Sequence, residues 1–531
     1  MTIALGVLDG ILRWYGISLL ASLCVWQVLR KIPSVNWGIC RLISPWFIAW
    51  VNLFPAAIVS KIPFDRLSLA VIAGVLLLPS SRGLLSPKQS FPWKETLQFE
   101  AIFLSALLLC GLYIPFQMPV QPVGERLWDT SLWSSVQTQG AYPLDSPWFP
   151  GHVLRYHTLG YYALSGIALF TGQSALLSYS FAMAFVFASY LAGLFLIFHS
   201  TGFSLWVSSM GALGVAIGSN LKSVFQAFDT LARALPYDWW KVSRVIENTI
   251  TEFPVWSYTL GDLHPHFMVL PLFTVLLSLV ASCLLKNRIG WGDIVLGAIL
   301  VAWVGGGNGW ELPIYVLVFA TLILLVRREI SKFAWFGVLA VVFMLPFLKY
   351  KSSVPLKIGW VKEGSSLREL TEFFGLFLLP LISLLLKEMK RQSWEWWVSF
   401  VLLLILSIAM QSAWLFLAGL IFAILVSRRH FQNTAFPTLA LLGLAIVLFC
   451  ETLHFRDSYG EGLARMNTVF KFYMPAWTLL GVTAVLSLKE LDHYWKRRAV
   501  VVCSSMLAVA LSSYLLVGLK ARTGGFALAS L

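Results

Sequence analysis

Apolar residues in this chain come in long unbroken runs, and short polar stretches punctuate them. The runs lie near residues 5–28, 38–60, 67–80, 98–116, 156–172, 174–200, 203–220 and 265–285. Others follow near 291–304, 313–326, 333–348, 370–386, 394–409, 411–427, 434–450, 472–488 and 499–518. Several of these seventeen segments are shorter than the roughly 20 residues that a standard helical crossing of a bilayer needs. The shorter ones are candidates for re-entrant segments, and 174–200 is long enough to hold two short helices. Continuous apolarity without a period of two argues against barrel strands. The expected fold class is therefore all-α, a polytopic transmembrane helical protein of about 14–18 membrane segments.

Composition agrees: 58% of the 531 residues are hydrophobic and 12% charged, and the mean hydropathy is +0.77. No soluble domain, low-complexity stretch or internal repeat stands out. A net charge of +14 raises the question of nucleic acid, but the positions of the charges argue against it. Arg30-Lys31, Arg82 to Lys94, Lys286 to Arg288, Arg327-Arg328, Lys387 to Arg391, Arg428-Arg429 and Lys496-Arg497-Arg498 all lie in short loops between apolar runs. The positive-inside rule makes these loops cytoplasmic. Counting outward places 117–155, 304–312, 349–368 and 451–471 on the opposite, extracytoplasmic face. Residues 221–264 join them if 174–200 crosses twice. No basic region precedes Arg13 and no small-residue cleavage site follows, so the first span reads as retained. Cys24, Cys40, Cys110, Cys283, Cys450 and Cys503 sit in or beside apolar runs without metal or redox spacing, and read as packing residues.

Chemistry concentrates in the loops of one face. Trp256 to His266 places Asp262, His264 and His266 against the start of an apolar run, and titratable groups at a membrane boundary are costly enough to mark a site. Aspartate and histidine together bind a metal, hold a phosphate or move a proton. The residues leading into it carry Arg244, Glu247 and Glu252. An earlier loop carries Glu125, Trp128, Asp129 and Asp145, and runs into Arg155-Tyr156-His157. A carboxylate just past a span accepts a proton beside a low-dielectric wall, although an ordinary aromatic belt has the same composition. Gly305-Gly306-Gly307-Asn308-Gly309-Trp310-Glu311 exposes backbone amides to a ligand or forms a tight hairpin. It lacks the ending of a phosphate-binding loop. Arg465, Asn467 and Lys471 suit a phosphate or pyrophosphate at the mouth of a span; snorkelling to headgroups is the plainer account of Lys471.

Four blocks together resemble the "YYY" polytopic membrane protein family of archaea and Chloroflexi, whose function is unknown. They are Trp128-Asp129 with Leu144 to Tyr162, Arg244 to Pro271, Asn308 to Pro313, and Arg465 to Tyr473. The tyrosine run of that family is here Arg155-Tyr156-His157 with Tyr161-Tyr162 following, and the Asp-Pro-Trp element is Asp145-Ser146-Pro147-Trp148. The family is grouped with the lipid-dependent C-type glycosyltransferases. That resemblance implies N-terminal helices outside the match over 1–97, a glycosyltransferase-like core over 98–490 and a C-terminal helix over 491–531. It implies transfer of a sugar from a polyprenyl-phosphate donor to an unidentified acceptor on the extracytoplasmic face. In its terms Asp129 is the base, with Asp145 second and Glu252 a further catalytic carboxylate. Arg155, Tyr156, His157, Arg244, Asn308, Glu311, Arg465, Asn467 and Lys471 face the donor phosphate. Asp262, His264 and His266 hold a divalent metal, magnesium or manganese, or hydrogen-bond the phosphate. The rival readings are a transporter or flippase for a lipid-linked or anionic substrate, and a catalytically silent scaffold of the cell envelope.

Overall fold

A computed structural model describes residues 2–77, 91–117, 124–326, 329–350, 357–431, 434–457, 459–491, 502 and 505–525. Arg82 and Lys88, Arg327-Arg328, Lys496-Arg497-Arg498, Cys503 and residues 118–123 and 351–356 of the expected outer loops lie outside them. Each of the seventeen apolar segments is met by a helix. Eleven helices are long and apolar enough to cross a membrane, and six shorter apolar ones accompany them. The chain is an all-α, multi-pass integral membrane protein. Strand ladders among the described residues are Ile62–Pro63 with Ala141–Tyr142 and Lys357–Trp360 with Leu453–Arg456, besides single bridges Asp145 to Val153 and Ser366 to Ser412.

Local chemistry fixes where helices begin. The Asn36 side chain accepts from Ile39 N at 2.9 Å and opens Trp37–Leu53. Ser366 and Glu369 form a capping box at Leu367–Met389, satisfying backbone donors at its first turn. Pro265 opens the span Pro265–Leu285 directly after the extended His264, a position where its missing N–H costs nothing.

Two expectations are corrected. Ala175–Ser200 is a single helix of 26 residues, about 39 Å long at 1.5 Å per residue, because its sequence holds no proline and no polar break. It is one crossing, not two. Leu159–Thr171, one of the segments too short for a standard span, has 13 residues and reaches only about 20 Å. Its Tyr161 hydroxyl donates to Asp129, and the Trp133 indole, one turn beyond Asp129, donates to Ala175 O at 2.7 Å. The chain thus leaves one helix, Glu125–Gln139, and returns to it. The second correction concerns Gly305 to Gly307, which are the buried last turn of the helix Trp291–Gly307 and no open loop. A Cβ on Gly305 would meet Met344 at 2.6 Å, and one on Gly306 would meet Phe347 at 2.7 Å. These glycines admit the helix Ile330–Leu348 to close packing.

The chain divides into two compact units, one of residues 1–200 and 260–353, the other of 201–259 and 354–527. In the first, Ala175–Ser200 packs against Trp93–Gly111 and Pro265–Leu285. Gly193 makes the second contact possible, since a Cβ there would fall on the Thr274 side chain. Arg41 and Glu100 form an ion pair at 3.1 Å with the guanidinium fully enclosed. Trp37 Nε1 donates to Glu100 at 2.6 Å, and the guanidinium lies 4.3 Å from the Phe103 ring. In the second unit, Leu367–Met389 and Ala435–Thr452 pack on Met466–Ser487. There Trp477 meets the rings of Phe253, Phe373 and Phe377. Cys24, Cys40, Cys110, Cys283 and Cys450 are buried, as packing residues are.

Breaking a buried pair leaves one charge uncompensated, whereas removing both groups does not. Glu100→Gln is expected to lower stability by about 3–5 kcal/mol, and Arg41→Met with Glu100→Met to recover most of that loss. Thermal unfolding of purified protein in nanodiscs measures both.

Candidate functional site

Glu125–Gln139 places Glu125 and Asp129 four residues apart, on one face, with Arg126 beside them. Opposite runs the segment Gly261 to His264. Gly261 has φ +85°, a backbone conformation that suits glycine, and sets the turn into Asp262. Leu263 N donates to the Tyr179 hydroxyl at 2.7 Å, anchoring the segment on Ala175–Ser200. The flanking side chains then meet Glu125–Gln139. Arg126 Nε lies 3.0 Å from Asp262 Oδ1, both groups largely buried. His264 Nδ1 lies 3.7 Å from Asp129 Oδ2 and 3.8 Å from Glu125 Oε2. His266 is buried, its ring 5.2 Å from that of His264.

The two carboxylates differ sharply in surroundings. Glu125 stands mostly in the open, while Asp129 is 0% exposed. Asp129 Oδ1 accepts from Tyr161 at 2.6 Å, and its Oδ2 has no hydrogen-bond partner among the described residues. Tyr161 reaches it because Gly160 lets its helix approach Met268, whose sulfur would lie 2.9 Å from a Cβ at that position. His264 is the bridge between the enclosed carboxylate and the open one.

An aromatic face adjoins this column. Trp128 stacks on Trp148 at 6.2 Å with 16° between planes, and meets Tyr156 edge-on at 5.5 Å. Burial first, then the negative charges of Asp129 and Glu125, push the Tyr156 phenol well above its ordinary range, so it is a neutral hydrogen-bonding group. Arg155, next in sequence, is exposed and makes no hydrogen bond or ion pair among the described residues. Asp145 is exposed on the same loop, where its backbone bonds the Gln139 side chain. His157 Nδ1 accepts from Gly309 N at 3.3 Å. Asn308 donates to Glu311 at 2.8 Å, both buried.

The remaining expected site residues belong to the second unit. Arg465 donates to Glu451 at 2.7 Å and to Ser365 at 3.2 Å. Glu451 also accepts from Tyr473 at 2.9 Å. Burial alone would lower the Arg465 pKa, but Glu451, Tyr473 and Cys450 more than offset it and hold the guanidinium charged. Its charge is thus already committed to Glu451. Asn467 donates to Asp457 at 2.8 Å. Lys471 is buried, its ammonium 3.7 Å from the Phe470 ring centre. Arg244 donates to Ser243 at 2.7 Å and stacks on Trp240 at 4.3 Å, and Glu252 accepts from Ser257 at 2.7 Å.

Asp262 faces Arg126 and His264 faces Asp129 and Glu125, and among the described residues no three His, Cys, Asp or Glu stand grouped as metal ligands. Sequence reading gave no role to the partners that define the site, Arg126, Tyr161, Tyr179 and Trp148, although Tyr161 and Trp148 stand in the motifs that carry the resemblance. The spacing of Glu125 and Asp129 was the available signal, since four residues on a helix make one face.

A family model described as an uncharacterized membrane protein (DUF2298) matches residues 46–480. It reaches further towards the N-terminus than the blocks between 124 and 477 on which the resemblance rests. No curated protein matches the chain.

Tyr161→Phe removes the hydrogen bond that Asp129 receives and leaves a buried acceptor unsatisfied. The expected loss of stability is about 1–3 kcal/mol, read by thermal unfolding, with little change for Tyr459→Phe, whose side chain is exposed.

Proposed function

The chain belongs to this family of membrane proteins of unknown function, and we propose that it is a glycosyltransferase acting on a polyprenyl-phosphate-linked sugar at the extracytoplasmic face. The observation that carries this reading is the Asp129–His264–Glu125 column beside the face of Trp128, Trp148 and Tyr156. Proton transfer and sugar stacking are thereby offered side by side.

In the proposed reaction an acceptor hydroxyl attacks the anomeric carbon. Its proton goes to His264, and the bond from that carbon to the phosphate oxygen breaks with its electron pair on the lipid phosphate. Asp129, fully enclosed, acts through His264: it orients the imidazole and stabilises the imidazolium that forms. The separation of 3.7 Å is long for a hydrogen bond, and such contacts tighten when substrate fills the site. Glu125, on the open side, is placed to orient the acceptor. Arg155 is the exposed cation of this unit suited to the leaving phosphate. Trp128 and Trp148 suit the apolar face of a pyranose ring. Arg126 is held by Asp262 and serves to fix the two segments.

Transfer of labelled sugar from polyprenyl-phosphate donors by protein in nanodiscs tests the proposal. Wild type is expected to transfer, and His264→Ala to lose about 10²–10⁴-fold in rate. Asp129→Asn is expected to lower kcat with KM nearly unchanged, because it orients a base and does not touch substrate. Trp148→Ala is expected to raise KM with kcat preserved. Absence of transfer by wild type across a broad panel of donors and acceptors, with labelled lipid crossing the bilayer instead, would replace this reading with a flippase.

A further inference from the structure

The helix Leu221–Arg233 in the second unit reverses the pattern of a soluble surface helix. Asn220 caps it, its side chain accepting from Ser223 N at 3.0 Å. Leu221, Val224, Phe225, Phe228 and Leu231 recur at spacings of three and four, which is one face of a helix. Leu221 packs at Gly375, and beyond it the face turns away from the protein: Phe225 is 51% exposed, Phe228 63% and Leu231 77%. The polar face is turned inward and is satisfied there. Lys222 pairs with Glu372 at 3.3 Å, Ser223 bonds the Tyr237 hydroxyl at 2.7 Å, and Gln226 accepts from Asp238 N at 2.9 Å. Ser223 and Ala227 are the buried contact positions.

An apolar stripe of this size facing water would be costly at about 25 cal/mol per Å², and the chain already sits in a bilayer through its long apolar helices. At 13 residues the helix is too short to cross, about 20 Å against about 30 Å of hydrocarbon. Its rim carries cations and an indole that suit headgroups. Arg233 and Lys241 are exposed beyond the apolar stripe, and Trp240 is half exposed beside them. Their partners, Asp229 at 3.3 Å and Asp238 at 3.6 Å, are weak surface pairs that leave the cations available to phosphate.

We propose that Leu221–Arg233 is an in-plane membrane helix, docking the second unit on the lipid headgroup layer with Phe225, Phe228 and Leu231 in the acyl boundary and Arg233 and Lys241 at the phosphates. The proposal rests on the surface of this unit alone and is independent of the chemistry of the Asp129 column.

Nitroxide labels at Phe228→Cys, Leu231→Cys and Ala227→Cys, each in a Cys503→Ser background of the full chain in lipid nanodiscs, test it. The remaining five cysteines are buried. Labels at 228 and 231 are expected to collide with oxygen more than with a water-soluble nickel chelate, at a depth of about 5–10 Å below the phosphates. The label at 227 is expected to be shielded from both. Free access of the nickel chelate to 228 and 231 would mean a water-facing helix and overturn the proposal. Dipolar broadening between labels would mean a second copy of the chain on this face, and overturn it equally.

Discussion

A charge taken out of water must bring its partner with it, and that requirement organises this protein. The Arg126–Asp262 pair joins segments far apart in the chain, and no local propensity would bring them together. Its desolvation is tolerable because two opposite charges stand 3.0 Å apart. Once made, it fixes Glu125–Gln139 against the entry to Pro265–Leu285, and His264 is delivered to Asp129. The same rule holds Arg41 to Glu100 among the first helices and Arg465 to Glu451 in the second unit. These last two pairs are supported by further donors or rings, which spread the charge over several contacts and reduce the cost of enclosing it.

That rule also shows how far the sequence could be read. The seventeen apolar segments were legible because hydrocarbon imposes a length and a composition that no other environment does. The candidate residues Asp129 and His264 were legible as titratable groups at a boundary. Their partners were not, since Tyr161 and Tyr179 lie in apolar runs where a tyrosine looks like any other large ring. Arg465 looked free beside Asn467 and Lys471, whereas Glu451, fourteen positions away across a short strand, takes its charge. The glycine run at 305–307 illustrates the same limit. Glycine signals close approach, and only the fold shows that what approaches is Met344 and Phe347 and not a ligand. The helix 174–200 was misjudged because length alone does not say whether an apolar run bends; the absence of any proline within it was the better guide.

Both units enclose ion pairs, but they differ in what else they carry. The first carries titratable groups at graded depth, from open Glu125 through His264 to enclosed Asp129. The second carries ion pairs and aromatic stacks that consume their own polarity, as in Arg244 on Trp240 and Glu451 under Arg465. Graded exposure suits the proposed reaction, in which one group meets substrate and another orients it. Mutual satisfaction is a property of scaffolds.

The helix Ala175–Ser200 is enclosed by protein along its whole apolar window, although its mean hydropathy of 2.3 would suit lipid on every side. It is therefore able to enter the bilayer by itself, before the helices that surround it are complete. Trp93–Gly111 precedes it in synthesis, but Pro265–Leu285 follows by some sixty residues. The missing Cβ at Gly193 leaves the space that Thr274 fills. The segment that bears His264 is thus seated on an axis that precedes it in the chain, through Leu263 on Tyr179 and Thr274 at Gly193.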